Sequence, residues 1–360
     1  MKLLIITQAV DINNPLLGFF NYWIEEFSRH CEQVTVIALG VGEYKLSQNV
    51  KILSLGKEDC VCNSWHPHII RKFLFLYRFY KYIWQERKNY DAVFVHMNPI
   101  YVVFGGIFWK AQKKKIGLWY THRIIDWKLK LAEKIADIIF TASKESFVLD
   151  SKKLKILGHG IDINKFKKQE PGSGNGLFNI VYVGRISGIK NQKLLIGALN
   201  VLVNKRGIKN IRIDFVGSAT YERDRVYLSE LKQSTTSFNL NDYVNFIGSV
   251  PYKEIVDVYN RADLSVNLCL TGGLDKAVLE SMACELPVLA TNAGFKEEFG
   301  SYADNLLVEE NDPMDLADKI NDIINKNKGE LLQVGKFLRQ QVAIRHDLHG
   351  LIKNMVELLH

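Results

Sequence analysis

Two glycines and two charged side chains lie close together in the second half of the chain, where Gly272 and Gly273 precede Lys276 and Glu280. The flanking residues predict a strand end, a glycine loop and then a helix. Such a loop exposes backbone N–H groups, and the helix dipole favours an anion beside them. The charge of Lys276, in the first helical turn, opposes the dipole, and an anionic ligand would remove this conflict. One turn further on, the carboxylate of Glu280 could accept two hydrogen bonds from a ribose diol.

A pair of basic residues follows an earlier strand, in the segment Val183–Asn191. Gly184 forms the turn, and a helix begins near Lys190, so Arg185 and Lys190 are placed where they could clamp a diphosphate. Either motif alone is also typical of an ordinary turn between a strand and a helix. Both motifs together, at the strand ends of one domain, indicate a phosphate-binding site much more specifically.

Short apolar runs alternate with helical patterns along the whole chain, as expected for parallel strands that are covered on both faces. We predict strands at Leu3–Thr7, Val34–Leu39, Ile52–Leu55, Ala92–His96, Ile116–Thr121, Ile138–Ala142, Ile180–Gly184, Ile211–Val216, Val244–Ile247, Leu264–Leu268, Val288–Ala290 and Leu306–Val308. We predict helices at Phe19–His30, Lys190–Arg206, Tyr252–Arg261 and Val278–Cys284. Because twelve strands are too many for one ordinary open sheet, the fold class is α/β with two doubly wound, Rossmann-like domains.

The one linker-like stretch is Lys167–Gly176, which combines charged residues with Pro, Gly and Ser. We therefore expect a first domain at residues 1–168 and a second that begins at residue 169. Ligands of doubly wound sheets bind at the carboxyl ends of the strands. Two such domains facing a cleft could bind a donor on one side and an acceptor on the other.

The 360 residues carry a formal net charge of +8, and this charge is unevenly distributed. Residues 1–170 hold 26 Lys and Arg against 16 Asp and Glu, a net of +10, so the remainder carries −2. All six tryptophans also precede residue 128. The asymmetry favours an anionic partner or surface for the first half, although variable surface lysines and core tryptophans would give the same counts.

Composition excludes several classes of protein. With 47% apolar and 24% charged residues, the chain is not a disordered one. Its longest apolar run, Ile100–Trp109, is too short to span a bilayer. The apolar start is too short for a signal peptide and lacks a cleavage site, and the five cysteines are scattered. We expect a cytoplasmic protein, with the inner face of the membrane as a second location.

Two segments of the first half allow alternative interpretations. Cys60, Cys62, His66 and His68 could hold zinc, but their spacing is uncommon for a structural site, and a loop is favoured. The second segment is Arg71–Trp84, whose residues form an amphipathic pattern.

At helical spacing Phe73, Leu76, Tyr80 and Trp84 share one face of that segment, whereas Arg71, Arg78 and Lys81 lie largely away from it. This face could dock on anionic lipid. Alternatively, the helix covers the first sheet with its basic ends extended into water, which is slightly favoured because a βα fold needs a helix there.

The motifs resemble those of the family-4 retaining glycosyltransferases of the GT-B fold. Their donor domain carries Val-Gly-Arg…Lys and a Glu-x7-Glu motif followed by Ala-Met-Ala-x-Gly-x-Pro-Val, which here reads Ser281–Val288. The likeness extends over nearly the whole chain, since Ala136–Ser143 and Gly158–Asp162 resemble the stretches before the linker. It implies that residues 169–340 bind a nucleotide-sugar donor and that residues 1–168 form the acceptor side. It also implies that a helix within 341–360, at about Leu348–Leu359, returns to the first domain.

The resemblance also implies roles for particular residues. Arg185 and Lys190 would neutralise the leaving nucleoside diphosphate, and Glu280 would bind the ribose. His122, just past the predicted strand Ile116–Thr121, matches a histidine that approaches the donor sugar. The donor-binding set would comprise Gly18, Gly184, Gly272, Gly273, Leu274, Asp275, Lys276 and Glu280. Such enzymes use a UDP- or GDP-sugar and need no metal, because the basic clamp replaces it electrostatically.

One departure from the family pattern affects the donor site. The first Glu of Glu-x7-Glu would fall on Gly272, and Leu274, Asp275 and Lys276 replace the usual Phe-Gly-Leu. The missing Glu normally contacts the donor sugar. Asp275 or Lys276 could supply that contact, the donor sugar could differ, or the protein could be a weak or inactive transferase.

The resemblance and the motifs together predict a retaining glycosyltransferase of hexosyltransferase type that acts on a glycan or lipid-linked acceptor. The basic first domain would contact an anionic acceptor or the membrane face. An epimerase-like enzyme on the same scaffold is a second hypothesis, although no clear acid–base carboxylate set is present. A non-catalytic binder of anionic lipid or polyanions is a third. No nucleic-acid recognition motif is present, so no nucleic-acid partner is expected.

Overall fold

A computed structural model describes residues 1–14, 16–58, 68–169, 176–269 and 273–360. The described chain forms two compact units. The amino-terminal unit contains Met1–Gly160, Pro251–Lys253 and Asp347–His360, and the carboxyl-terminal unit contains Ile161–Val250 and Glu254–His346. Cys60, Cys62, His66, Gly272 and most of the linker-like stretch lie outside the described residues.

The amino-terminal unit is built on a parallel sheet of seven strands in the order β3-β2-β1-β4-β5-β6-β7. Its strands are β1 (Lys2–Val10), β2 (Gln33–Val41), β3 (Val50–Ser54), β4 (Ala92–His96), β5 (Lys115–Trp119), β6 (Ile138–Thr141) and β7 (Leu154–Ile156). Its helices are α1 (Phe20–His30), α2 (His68–Gln85), α3 (Pro99–Ala111), α4 (Trp127–Ile135) and α13 (Leu348–Leu359).

Helices cover both faces of this first sheet. Along β1, Leu3 and Ile5 join a core with apolar residues of α1 and α13, whereas Leu4 and Ile6 join a second core with residues of α2, α3 and α4. The alternation follows from the two-residue period of a strand. Because both faces are buried, β1 is a continuous apolar run, and the α/β expectation from the sequence is confirmed.

The carboxyl-terminal unit is built on a parallel sheet of five strands in the order β10-β9-β8-β11-β12. Its strands are β8 (Phe178–Val183), β9 (Ile211–Val216), β10 (Val244–Gly248), β11 (Leu264–Asn267) and β12 (Val288–Ala290). Its helices are α5 (Gln192–Asn200), which a π-helical turn extends to Lys205, α6 (Glu222–Ser237), α7 (Ile255–Asn260), α8 (Lys276–Ala283), α9 (Lys296–Phe299), α10 (Ala303–Leu306), α11 (Pro313–Asn325) and α12 (Lys328–Arg345).

Within the described parts of the chain, one predicted strand is wrong and one strand was missed. The segment Leu306–Val308 is not a strand, because α10 ends at Leu306 and Leu307 makes only an isolated bridge to Ala290. The missed strand is β7, a three-residue edge strand of which Lys155 and Ile156 are exposed. A short half-solvated edge strand lacks the continuous apolar run by which the others were predicted.

The boundaries between the two units lie at other sequence positions than the linker-like composition suggests. The chain changes unit after Gly160 and again after His346, whereas the sequence analysis places these boundaries at 168/169 and 340/341. Backbone pairing explains the difference, since the N–H of Ile161 donates to the carbonyl of His346 at 2.7 Å. Residues 161–168 are thereby held in the carboxyl-terminal unit, together with the end of α12.

Helix α2 both covers the sheet and presents an aromatic face to solvent. Phe79 and Ile83 are fully buried in the core. Four other side chains, spaced at i, i+4, i+7 and i+11, are exposed, and we call them the aromatic stripe: Phe73, Tyr77, Tyr80 and Trp84. Among the helices that the structure describes, none has the length and apolar character needed to cross a bilayer.

Candidate functional site

The two motifs meet at the carboxyl ends of two adjacent strands. Strand β8 leads directly into Gly184 and Arg185, and β11 leads towards the amino terminus of α8. The two strands pair in parallel, with Leu264 opposite Ile180. Residues 273–280 and 184–190, which are far apart in sequence, therefore lie at one edge of the sheet, as the sequence analysis predicted.

A close approach of two backbones shapes the turn after β8. Gly184 has φ of +156° and Gly217, after the neighbouring β9, has φ of +146°. A Cβ on Gly217 would lie 2.0 Å from the carbonyl oxygen of Gly184, so only glycine fits there. The sequence analysis missed Gly217, although its place directly after a predicted strand was a usable signal.

Arg185 is anchored by residues of α6 and the turn before it. Its Nε lies 3.7 Å from Oδ2 of Asp224, a buried carboxylate that also accepts a hydrogen bond from the backbone N–H of Tyr221. The guanidinium lies 5.4 Å from the ring centroid of Tyr221. These contacts leave the arginine side chain 32% exposed, so part of it faces solvent. Asp224 and Tyr221 were not identified from the sequence.

Lys190 forms an ion pair with Asp275, and each side chain is only about one fifth exposed, at 19% and 20%. Burial lowers the pKa of Lys190, but the adjacent Asp275 carboxylate outweighs it and raises the net value. Burial likewise raises the pKa of Asp275, and Lys190 and Asn267 reverse that shift. Both groups are therefore charged at neutral pH. The charge of Arg185 is close enough to act on Lys190 as well.

Asp275 connects three elements of the site. One oxygen binds Lys190 and accepts a 3.0 Å hydrogen bond from Nδ2 of Asn267 at the end of β11, and the other accepts from the N–H of Ala277 at 3.3 Å. The last contact makes Asp275 the N-cap of α8. The family that the sequence resembles has glycine at this position, so the contacts of Asp275 are additional to the family pattern.

The buried hydroxyl of Tyr182 joins the two motifs through their backbones. It donates to the carbonyl of Lys190 at 2.5 Å and accepts from the N–H of Leu268 at 3.1 Å. Burial raises the pKa of this phenol well above its ordinary value, so the hydroxyl stays protonated. Tyr182 holds the turn that carries Lys190 against the end of β11.

Glu280 is buried on α8 and lies among cationic side chains. Desolvation lowers the pKa of Lys165 and of Lys276 to about 8 each, and the carboxylate of Glu280 partly opposes both shifts. Asp162 acts on both lysines in the same direction as Glu280. Lys165 lies outside both predicted motifs, and the sequence analysis did not assign it to the site.

The glycine loop is described from Gly273 onwards. The carbonyl of Gly273 accepts a 3.2 Å hydrogen bond from Nδ2 of Asn292, and Leu274 is buried beside α8. Side chains at the end of β11 and in the turn after β12 thus bind Asp275 and Gly273 respectively.

Comparison with known families places these residues within one domain. Residues 163–337 match the family model described as glycosyl transferases group 1. The matched range contains both motifs, Lys165, and every side chain that contacts Lys190 or Asp275. We call residues 163–337 the group 1 domain, after the family model that they match.

Curated relatives of this group 1 domain include two bacterial proteins. A D-inositol 3-phosphate glycosyltransferase of Pseudarthrobacter chlorophenolicus is 24% identical over 194 residues, which cover 51% of this chain and 44% of the relative. The putative glycosyltransferase EpsD of Bacillus subtilis is 26% identical over 245 residues, which cover 63% of this chain and 60% of that protein. The chain thus spans about half the length of the curated relatives it matches.

Solved structures share the fold over the whole chain. Anabaena Alr3699/HepE, solved in complex with UDP, superposes with a TM-score of 0.76 at 19% identity and covers 100% of this chain and 99% of its own. The likeness shows the GT-B fold, with its two parallel-sheet α/β domains. Both the group 1 domain and the amino-terminal unit therefore have counterparts in one solved protein.

Two predicted site residues lie in the amino-terminal unit rather than in the group 1 domain. Gly18 precedes α1, and a Cβ there would lie 2.6 Å from the carbonyl oxygen of Asn14, so the tight turn requires glycine. His122 follows β5; its side chain is exposed and its ring centroid lies 5.7 Å from that of Tyr120. The roles of Gly18 and His122 towards a donor stay predictions.

Proposed function

We propose that this protein is a retaining glycosyltransferase that transfers a sugar from a nucleoside-diphosphate sugar to a glycan or lipid-linked acceptor without a metal ion. The observation that carries the proposal is the convergence of Arg185, Lys190, the amino terminus of α8 and Glu280 at one sheet edge of a group 1 domain. Two cations and a helix amino terminus suit a diphosphate, and a buried carboxylate one helical turn further on suits a ribose diol.

In the proposed reaction the acceptor hydroxyl attacks the anomeric carbon of the donor sugar from the face that the nucleoside diphosphate leaves. The bond from the anomeric carbon to the phosphate oxygen breaks, and both electrons stay with the diphosphate. The acceptor proton passes to an oxygen of the leaving phosphate, so no separate general base is needed. Arg185 and Lys190 stabilise the charge that develops on the diphosphate, which is the electrostatic work that a metal ion does elsewhere.

UDP is the nucleotide that we test first, because HepE binds UDP in its solved structure. The part of the site that would contact the donor sugar differs from the family pattern. Gly272 lies where the family carries its first Glu, and Asp275 and Lys276 are the charged residues next to it in the chain. We assign the missing contact to Lys276 or Asp275.

For the acceptor side we propose contact with an anionic membrane. The aromatic stripe of α2 is 42% to 68% exposed, and Ile107 on the neighbouring α3 is 81% exposed. The two helices adjoin, since the hydroxyl of Tyr80 donates to the carbonyl of Phe104 at 3.1 Å. Exposed Lys72 and Lys81 lie on the same helix. Apolar side chains beside lysines are typical of an interfacial helix on anionic lipid.

Thermal denaturation with a panel of nucleoside diphosphates, in EDTA and in magnesium, tests the donor site. We expect one nucleoside diphosphate to raise the melting temperature equally in both conditions. Lys190→Ala and Glu280→Ala should abolish the rise, whereas Lys193→Ala, at an exposed position three residues from Lys190, should retain it. Stabilisation that requires magnesium would contradict metal independence, and no stabilisation by any diphosphate would contradict the donor site.

Transfer itself is measured as release of the nucleoside diphosphate in the presence of an acceptor extract, with the anomeric configuration of the product read by NMR. Arg185→Ala should slow turnover by about 100-fold or more, because one donor to the developing charge is lost. A product of inverted configuration would contradict the retaining mechanism. Turnover of Arg185→Ala, Lys190→Ala and Glu280→Ala at the unmodified rate would show that the site is elsewhere.

A further inference from the structure

A carboxylate and two imidazoles converge between the first and last helices of the amino-terminal unit. Glu26 and His30 lie one turn apart on α1, and His349 lies on α13. Oε1 of Glu26 is 3.1 Å from Nε2 of His30 and 2.7 Å from Nδ1 of His349. The two imidazole ring centroids are 4.9 Å apart. One ligand atom from each residue lies within 4.8 Å of the others.

The environment of these residues suits a bound cation. Glu26 is 7% exposed, and its second oxygen accepts a 2.8 Å hydrogen bond from Arg29, which fixes the orientation of the carboxylate. Burial raises the pKa of Glu26, but His349 and His30 reverse that shift, so the carboxylate is anionic. His349 is 63% exposed, which gives an ion access from solvent.

A metal ion could replace the hydrogen bonds that Oε1 of Glu26 makes with His30 and His349. Both imidazoles are directed at Oε1 of Glu26, so each ring presents a nitrogen to the same point. A divalent ion that lies among these three atoms, in place of the hydrogen bonds, would be bound by two nitrogens and one oxygen. Two imidazoles with one carboxylate form a common ligand set of zinc, and a fourth position remains for water.

We propose that Glu26, His30 and His349 bind a divalent transition-metal ion, with zinc as the best match, and that this ion fastens α13 to α1. Residues 26 and 349 are 323 positions apart, so the ion would close a very long loop of chain. A metal bound only in the folded state stabilises that state by its binding free energy. The ion would act by joining two helices, and the site involves none of the donor-site residues of the group 1 domain.

Isothermal titration calorimetry with zinc on the full chain tests the site. The parent protein should carry Cys60→Ser and Cys62→Ser, because these cysteines form another possible zinc ligand set in the sequence together with His66 and His68. We expect one zinc ion per chain with a Kd of about 10 µM or tighter, and a rise in melting temperature of about 5 °C at saturation. His349→Gln should weaken binding at least about tenfold and remove the rise.

His360→Gln is the matched control, because His360 is an exposed histidine that directly follows α13 and lies outside the cluster. It should bind zinc as the parent does. His30→Gln, with its fold checked by circular dichroism, gives an independent second variant that should also lose binding. Cobalt substitution should show ligand-field absorption without a thiolate charge-transfer band, since the ligands are nitrogen and oxygen.

Three results would overturn the proposal. The first is no zinc binding to the parent at about 100 µM metal, a concentration well above the expected Kd. The second is zinc binding by folded His349→Gln and His30→Gln with the affinity of the parent. The third is a thiolate charge-transfer band in the cobalt protein, which would place the ion on cysteine sulfur.

Discussion

At the scale of a single residue, Asp275 changes the electrostatics of the proposed donor site. It stands where the resembling family has glycine, and its carboxylate binds Lys190, Asn267 and the amino terminus of α8. It therefore offsets one of the two positive charges of the proposed clamp. A diphosphate that approaches Lys190 has to compete with this carboxylate.

Asp275→Asn should tighten nucleoside diphosphate binding by about fivefold, because the amide keeps a cap acceptor but no longer repels phosphate. Titration calorimetry with UDP measures the change. Asp242→Asn removes one negative charge from an exposed position of the same unit and should leave the Kd unchanged. Binding that becomes several-fold weaker in Asp275→Asn would instead show that Asp275 positions Lys190 for the donor.

Lys276 and Lys165 predict a pH dependence for the proposed donor site. Their pKa values of about 8 mean that both lose positive charge as the pH rises through that value. The contribution of the protonated lysines to anion binding is therefore present well below about pH 8 and is lost as the pH rises through that value. We expect the Kd for UDP to rise at least about threefold between about pH 7 and about pH 9.

Lys276→Met should flatten this pH profile, because one of the two titrating charges is gone. Lys193→Met, at an exposed position of the same unit, is the control and should keep the profile of the unmodified protein. A profile that stays equally steep in Lys276→Met would show that Lys276 does not contribute to the binding of the diphosphate.

At the scale of elements, α8 ends in a turn that normally uses glycine. The N–H of Glu285 donates to Met282 at 3.0 Å and the N–H of Leu286 donates to Ser281 at 3.1 Å, which defines a Schellman motif. Glu285 adopts φ of +59° there, in the left-handed region. The family pattern has glycine at this position, and a side chain with a Cβ is strained by the turn.

Glu285→Gly should raise the free energy of unfolding by about 1 kcal/mol, measured by chemical denaturation. Glu285→Ala keeps the Cβ and should give no gain. Asn239 occupies the equivalent position after α6 with φ of +55°. Because asparagine tolerates this conformation, Asn239→Gly should gain less than Glu285→Gly, and an equal gain would contradict the strain at Glu285.

The aromatic stripe of α2 makes a prediction about membrane contact. Phe73→Ser combined with Trp84→Ser should weaken sedimentation with phosphatidylglycerol vesicles at least about tenfold, because two exposed aromatic side chains no longer enter the lipid. Lys72→Glu with Lys81→Glu should weaken it as well. Arg78 is unsuitable for this test, since its guanidinium donates to the carbonyl of Leu55 at 2.9 Å.

The control for the vesicle experiment is Ile344→Ser, which removes an exposed apolar side chain from the carboxyl-terminal unit. It should sediment with vesicles as the unmodified protein does. If Phe73→Ser with Trp84→Ser also sediments unchanged, α2 serves only to cover the sheet.

At the scale of the whole molecule, the chain enters the carboxyl-terminal unit after Gly160 and leaves it after His346. Arg339 on α12 holds the entering segment in place. Its guanidinium donates to the carbonyls of Ile163 at 2.9 Å, Phe166 at 2.7 Å and Ala283 at the end of α8. The side chain of Arg339 thus connects the segment that enters the unit, the end of α8 and α12.

Arg339→Ala should lower the free energy of unfolding of the carboxyl-terminal unit by about 3 kcal/mol, because three carbonyls lose a charged donor. Circular dichroism should detect the earlier transition. Tryptophan fluorescence should not shift, since all six tryptophans precede residue 128. Arg339→Lys, which keeps the charge but not the planar fork, should be intermediate. A shift confined to tryptophan fluorescence would contradict this assignment.

Local sequence patterns were sufficient for most strands of the two sheets and for bringing the residues of the proposed donor site to one sheet edge. Ala92–His96, Ile211–Val216 and Val288–Ala290 match the structure residue for residue, because buried parallel strands are continuous apolar runs with sharp ends. Residues 184–190 and 273–280 could be expected at one sheet edge because strand ends in a parallel sheet meet there. The predicted strand at 306–308 was wrong because a short apolar run does not distinguish a strand from a bridge beside a helix.

The sequence by itself determined the two α/β domains, most of the strands and the residue types at the proposed donor site. Only the tertiary structure decided which groups neutralise one another there, namely Asp224 with Arg185 and Asp275 with Lys190. It alone brought His349 to Glu26. The reason is physical: strand and helix periodicity arise from neighbours along the chain, whereas charge pairing depends on side chains that folding brings together from distant positions.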